Sequence, residues 1–447
     1  MKNKFFIFCL SMIFFLPMAQ ENFLAQENIS HQADASVAEK MKIESDTIAQ
    51  RLEELDKLLS EIKAKIEKQE KEDEIKKLLE AATQLSSVKK KEEVGLAKRF
   101  HTGDRQQAGL NPNISLGGDF FAAISSTKNK FISEPSSASY GNNRFELREM
   151  ELSLIAPLDP FTRGKSFVSV TKHAISIEEA YLEWLNLPFN LNLKTGIFYT
   201  EFGILNRYHD HALPQFDRPK ALVNLFSNKG LSGFGFAGSF LLPRLFFAHA
   251  SSLDLSLMRG GTGNSFTDQG KFNLLAIAYL KNYYDLSKDT YFEWTLSSAS
   301  GKNDPNEKYL SHVSDLGFAV KWVPSDRAKY RTIDWKTELL YSRREIPSGN
   351  VSSFSFYSSL QNKINAQYWL STRIGYSELP WDNKQHEWDF TACVDYWQSE
   401  FVFFRLQYQY SKREFVSYLN YQGPFPDDHT LLFHVCWAMG PHKHEIY

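Results

Sequence analysis

From Asn113 onwards the chain alternates between apolar and polar residues, and this period of two limits the possible folds more than any other feature. In Phe401 to Ser411, Val402, Phe404, Leu406, Tyr408 and Tyr410 share one face, while Arg405, Gln407, Gln409 and Ser411 share the other. In Glu387 to Tyr396, Trp388, Phe390, Ala392, Val394 and Tyr396 oppose Glu387, Asp389, Thr391, Cys393 and Asp395. Thr332 to Tyr341 sets Ile333, Trp335, Leu339 and Tyr341 against Asp334, Lys336 and Glu338. A soluble sandwich also alternates, but its strands run nearer five or six residues. These runs of about ten to fourteen residues are long enough to cross a bilayer when tilted. The stretches near 145–155 and 174–186 alternate poorly and have no clean facing.

About sixteen such runs can be traced between 113 and 439. Connections after the even-numbered runs are short, for example LDPFT, NLPFN, LPR and QSE. Those after the odd-numbered runs are longer and rich in Gly, Asn, Ser and Pro, except the third, around His173. Short turns at one end and long loops at the other, with an even strand count, predict a bacterial outer-membrane barrel with both termini on the periplasmic side. The aromatic content of 15% suits a barrel with aromatic girdles. A mean hydropathy of −0.39 excludes a helical membrane bundle, and a net charge of −2 leaves no basic field for nucleic acid.

The chain ahead of the barrel has a different period. Lys2 and Lys4 precede an apolar run from Phe5 to Ala19, which reads as a secretory signal within residues 1–25, cleaved after Ala19 or Ala25. Ile48, Leu52, Leu55, Leu59, Ile62 and Ile66 follow heptad spacing inside a Lys/Glu-rich segment, 37–88, without Pro, Gly or aromatic residues. That is a coiled coil needing partners, and it hangs into the periplasm. Residues 89–112 read as a linker and 113–447 as the barrel. The fold expected is therefore an all-β transmembrane barrel of about sixteen antiparallel strands, preceded by an α-helical coiled-coil segment. Cys393 and Cys436 fall on strands with one strand between them, which separates their backbones by roughly 10 Å and leaves them as free, buried thiols.

The segments RFELREMELSLIAPLDPFTRG, SIEEAYLEWLNLPFNLNLKTGIFYTEFGILNRYHDHALPQFDRP and the terminal GPHKHEIY resemble a family of porin-like outer-membrane proteins that join a signal peptide and coiled coil to a barrel. The resemblance covers most of residues 141–250 and the last strand. It implies a homotrimeric channel admitting small solutes, surrounded by outer-membrane lipid and lipopolysaccharide. By fold-level analogy the chain also resembles general-diffusion and phosphate-selective porins, although it lacks a ladder of inward Lys or Arg. Tyr447 keeps the outward parity of Phe433, Val435 and Trp437, with Pro441 interrupting the strand before it.

The candidate site is the irregular stretch from Glu201 to Lys229, bracketed by strands. Folded inward, it narrows the lumen, with Arg207 and Arg218 opposing Glu201, Asp210 and Asp217. Folded outward, it meets lipopolysaccharide or a neighbouring subunit. His209 and His211 share a face in extended backbone and offer two imidazoles to a zinc-type ion, with Asp210 or Asp217 nearby. His442 and His444 form a second pair. Lumen-facing charges are predicted at Asp315, Asp334, Glu338, Glu387, Asp389 and Asp395, against Lys321, Lys336, Arg373 and Arg405, a balance giving at most weak cation preference. The Gly-rich RGGTGNS run (259–265) lacks the ending of a phosphate loop and opens no helix. No nucleophile elbow or paired-carboxylate motif stands out, so neither catalysis nor a cofactor is expected. Three readings follow: a porin for small hydrophilic solutes, a metal-ion uptake channel using the loop histidines, and an envelope tether binding peptidoglycan through the coiled coil.

Overall fold

The computed structural model describes residues 112–126 and 143–440, apart from 173, 262–263, 272, 326–327, 329, 419–420 and 423–424. The leader, the coiled coil, the linker as far as residue 111, and His442, His444 and Tyr447 lie outside the described residues.

Sixteen antiparallel strands close into a barrel. In chain order they are β1 (Asn113–Ser125), β2 (Asn143–Pro157), β3 (Thr162–Val170), β4 (Ile175–Leu187), β5 (Leu191–Tyr199), β6 (Ser232–Leu242), β7 (Ala250–Arg259) and β8 (Leu274–Ser287). Then follow β9 (Thr290–Lys302), β10 (Leu310–Trp322), β11 (Thr332–Ile346), β12 (Gly349–Lys363), β13 (Tyr368–Leu379), β14 (Asp382–Trp397) and β15 (Val402–Glu414). A two-stranded ribbon, β16 (Ser417–Tyr418) and β17 (Tyr421–Gln422), stands apart from the barrel. The last strand, β18 (Asp428–Met439), pairs with both β15 and β1 and closes the wall.

The alternation sorts outside from inside as expected. Leu257, Leu296, Leu339, Ile374, Phe390, Leu406 and Leu431 are exposed on the outer face, where burial energy is available only against lipid. Outward aromatics gather in two bands. Tyr284, Phe292 and Phe318, with Tyr368, Tyr396 and Phe404, ring the short-turn end. Phe354, Phe356, Tyr376 and Trp388 ring the other. An apolar belt between aromatic girdles is the exterior of a membrane-spanning barrel. Cys393 and Cys436 are free and buried on β14 and β18, with β15 between them.

Two sets of boundaries differ from expectation. The connection expected to be the short LPR turn instead runs from Pro243 to His249, and the next strand begins only at Ala250. Phe246 and Phe247 take positive φ (51° and 62°), which no strand accommodates. The connections after β11 and β13, expected to be long, are tight hairpins: the ladders continue to Ile346↔Gly349 and Leu379↔Asp382.

The two stretches without clean facing each contain a bulge. Asp119 pairs with Glu149 and Phe120 with Leu147, leaving Arg148 as the extra residue of β2. Phe167 pairs with Glu179 and Val168 with Ile177, leaving Glu178 as the extra residue of β4. A bulge turns two consecutive side chains to the same face, so Arg148 with Glu149, and Glu178 with Glu179, all point into the barrel.

Closure between β1 and β18 depends on a missing side chain. The Trp437 indole lies across Gly118, and a Cβ there would collide with the ring. Gly118→Val is therefore expected to cost folded barrel, read as loss of the heat-modifiable band on gels. Gly164→Ala, whose new Cβ meets only leucine methyls at 3.6 Å and beyond, is expected to fold as the parent does.

Candidate functional site

The stretch after β5 turns into the barrel and packs on its inner wall. Its neck is stapled by Asn206, whose amide donates to the carbonyls of Thr200 (2.9 Å) and Leu231 (3.0 Å) and whose Oδ1 accepts from Leu231 N (2.7 Å). Beyond the neck, helix α1 (Lys220–Phe226) follows Pro219, whose carbonyl accepts its first amides, and ends at Ser227, held at φ 70°. All of its residues are buried, and it packs on β12 and β13.

Apolar contact is the main anchor. Phe202, Leu205, Leu222, Leu225 and Phe226 are at most 1% exposed, and with Ile204 and Leu213 they join inward Met258, Leu275, Ile277, Val313, Leu340 and Tyr357 in one core. At roughly 1.5–3 kcal/mol for each large buried side chain, these five alone outweigh any single ion pair. The sequence reading weighed the charges of this stretch and passed over its Phe and Leu residues, which hold it in the lumen.

Four of the ten predicted lumen charges, Glu338, Glu387, Arg373 and Arg405, touch this loop. Glu338 accepts from the amides of Ile204 (2.6 Å) and Leu205 (3.0 Å) and from the Tyr357 hydroxyl. Gly203 allows that approach, since a Cβ there would strike the Glu338 carboxylate and its φ is 56°. Asp315 lies on the adjacent strand, one diagonal step from Glu338. Arg373 donates to Asp217 O (2.7 Å) and Asp217 Oδ2 (3.0 Å) and pairs with Asp389 (3.3 Å). Arg405 chelates Asp395 (2.7 and 2.8 Å) and reaches Leu213 O. Glu387 pairs with Arg413 (2.9 Å) and touches Asn224. Asp334 and Lys336 pair with one another at 2.6 Å, and Lys321 keeps the inward parity of β10, half-buried. These wall charges thus serve largely as partners for loop backbone or for each other.

The charges within the loop are paired too, and they do not face each other across an opening. Arg207 binds Glu201 (3.0 Å), Arg218 contacts Asp210 (3.3 Å), and Asp217 goes to Arg373 and Lys220. Of Glu201, Arg207, Asp210, Asp217 and Arg218, Glu201 and Arg207 border a cavity of about 280 Å³ between the loop and the β2–β7 wall. Arg163, Lys165, Lys194, Glu179, Glu183 and Asp254 line the same space, with Arg163 bound to Glu183 on the neighbouring strand (2.9 Å).

His209 and His211 enter a nest of carboxylates. His209 Nδ1 lies 2.8 Å from Glu151 and 3.2 Å from Glu178, and Nε2 lies 2.9 Å from Glu179. His211 Nδ1 is 3.6 Å from Glu149 and 3.7 Å from Glu151. Burial disfavours the His209 imidazolium, but hydrogen bonds to Glu151, Glu178 and Glu179 overcome it and hold the ring's pKa well above its ordinary value. The aspartates expected beside these histidines are engaged elsewhere, Asp210 by Arg148 (3.2 Å) and Asp217 by Arg373. The four glutamates went unnoticed in the sequence. The signal was available: adjacent charges inside an alternating run, Arg148-Glu149 and Glu178-Glu179, place one charge on lipid unless a bulge turns both inward.

No family model matches the chain. It is 28% identical over 246 residues to an uncharacterized protein of Aquifex aeolicus, and it spans about half the length of that relative (50%), with 50% of its own residues aligned. Among solved structures it is similar to an anion-selective porin from Comamonas acidovorans (TM-score 0.51, 9% identity, 73% of this chain and 100% of that one). It is also similar to the outer membrane channel DcaP of Acinetobacter baumannii (TM-score 0.51, 13% identity, 75% and 99%). At these identities the likeness establishes a shared barrel fold.

Docking of the loop has a defined acid limit. Burial opposes the Asp217 carboxylate, but Arg373 and Lys220 overcome it and lower its pKa to about 2. A group depressed on folding stabilises the docked state above its unfolded pKa, near 4, and loses that contribution as pH falls through 2. A spin label introduced by Lys229→Cys should stay immobile from pH 6 to about 4 and gain a mobile component below. In Arg373→Ala, which leaves Asp217 and Asp389 without their guanidinium, docking should weaken by about 3–5 kcal/mol, so at pH 6 the mobile component should appear at a lower denaturant concentration than in the parent.

Proposed function

We propose that this protein is an outer-membrane porin, passing small hydrophilic solutes or ions down their gradients without catalysis. The observation that carries the reading is the inward loop, which leaves a charged cavity along one wall of a closed barrel. Filtering is steric and electrostatic. The loop limits the cross-section, and the cavity is lined by both signs: Arg163 is paired with Glu183 (2.9 Å) and Arg207 with Glu201 (3.0 Å), while Lys165, Lys194, Glu179 and Asp254 also border it. A lining that carries both signs gives only weak preference between anions and cations. In this reading the short turns face the periplasm, the long loops face outward, and three copies assemble in the membrane as the sequence resemblance implies.

The other two readings have less support. Uptake of metal ions needs ligands spaced along a passage, whereas the His209 carboxylates converge on one point. A peptidoglycan tether rests on residues 37–88, outside the described part of the chain.

Planar-bilayer recording tests the porin reading. Folded protein should insert in steps of stable conductance; folded protein that never conducts would overturn it. Arg207→Gln removes a cavity cation and leaves Glu201 unpaired, so the reversal potential in a salt gradient should move toward cation preference. Shortening the loop between Ile204 and Phe226 should raise unit conductance about twofold or more, because the loop sets the cross-section.

A further inference from the structure

We propose that Glu151, Glu178 and His209 form a binding site for a divalent transition-metal cation of the zinc type, which fastens the loop to the barrel wall. One ligand atom from each of the three lies within 4.8 Å of the other two. An imidazole nitrogen with two carboxylate oxygens is a donor set that zinc accepts, with water completing the tetrahedron. The imidazole weighs against calcium or magnesium, which prefer all-oxygen surroundings.

Three further features suit a metal. The first is the geometry around the ring. His209 Nδ1 faces Glu151 Oε2 and Glu178 Oε2, while Nε2 faces Glu179 Oε2 at 2.9 Å. A histidine that ligates through one nitrogen and donates from the other to a carboxylate is the arrangement that fixes metal-bound imidazoles. The second is charge. Glu149, Glu151, Glu178 and Glu179 crowd two imidazoles, and Glu149 is 6% exposed, with His211 Nδ1 3.6 Å from its Oε1. A divalent cation answers that excess with less ordering than several separate donors require. The third is construction: Glu178 is the extra residue of the β4 bulge, so the strand departs from its ladder at the point that turns a second carboxylate toward His209. His209, Glu151 and Glu179 border the cavity, which gives an ion a route in.

The ligands come from β2, β4 and the loop, so binding ties three segments together. This inference rests on the inward loop but not on conduction, and its test is a binding measurement. Untagged, folded barrel in detergent is titrated with zinc chloride by calorimetry. Expected is saturable binding at one ion per chain that survives His442→Ala/His444→Ala. Affinity should fall at least tenfold in Glu178→Gln, and ten- to a hundredfold in Glu179→Gln through loss of the orienting carboxylate. X-ray absorption of the zinc-loaded wild type needs no variant to fold, and it should report imidazole together with oxygen donors. No saturable binding to the wild type, binding unchanged in Glu178→Gln, or absorption without imidazole would each overturn the site. A protein that binds zinc but does not conduct would keep the site and remove the porin.

Discussion

An irregular backbone buried inside a barrel must find a partner for every N–H and C=O, because little water is left to supply one. That requirement organises the interior. The loop makes few internal ladders, so the wall supplies what it lacks. Glu338 takes the amides of Ile204 and Leu205, Ser297 takes Gly203, and Gln407 takes Phe216. The carbonyls of Phe216, Asp217 and Leu213 are met by Arg148, Arg373 and Arg405. Inside the loop, Arg218 collects the carbonyls of Leu205, Asn206 and Tyr208. The wall thus meets loop amides with Glu338, Ser297 and Gln407 and loop carbonyls with arginines. Of the mixed signs that look from the sequence like a conducting lining, Glu338, Glu387, Arg373 and Arg405 serve as the hydrogen-bond complement of one folded loop.

The fold was legible because a barrel surrounded by lipid writes itself into the chain at every second residue. Ser411, Gln409, Gln407 and Arg405 cannot face hydrocarbon, so their parity fixes the inside of β15, and the same logic sets Glu387 to Asp395 on β14. Errors arose where local geometry breaks that rule. The β7 boundary shifted because Phe246 and Phe247 sit in left-handed backbone, a conformation the side-chain pattern does not announce. The long hairpins after β11 and β13 were missed because polar residues such as Ser352 and Asn350 pair as readily in a ladder as they turn in a loop.

The site was less legible than the fold, and the reason is that pairing is three-dimensional. Arg207, Asp210, Asp217 and Arg218 stand close together in sequence, yet they take partners on different elements: Glu201 at the loop's entry, Arg148 on β2 and Arg373 on β13. The apolar residues between them decide where the loop lies. Phe202, Leu205, Leu222 and Phe226 seek the inward apolar patch of β7 to β12, which leaves the charged flank facing β2 to β7. The position of the cavity thus follows from hydrophobic burial on the opposite wall.

The two bulges finish that division of the interior. A regular β4 would send either Glu178 or Glu179 to the lipid face, where a charge near mid-membrane costs on the order of 2–4 kcal/mol for a basic residue and somewhat less for an acidic one. The bulge avoids that cost and delivers both carboxylates to His209, and β2 does the same with Arg148 and Glu149. Each pair meets a consecutive part of the loop: Arg148 binds Asp210, Glu149 approaches His211, and Glu178 and Glu179 hold His209. Irregular strand meets irregular loop at one place, while the wall opposite receives the loop's apolar side chains, its backbone groups and the Asp217 carboxylate. A barrel that needed the loop only as a filler would have no use for bulged charges on this side. Their concentration beside the cavity is what ties the wall's departures from regularity to the docked loop.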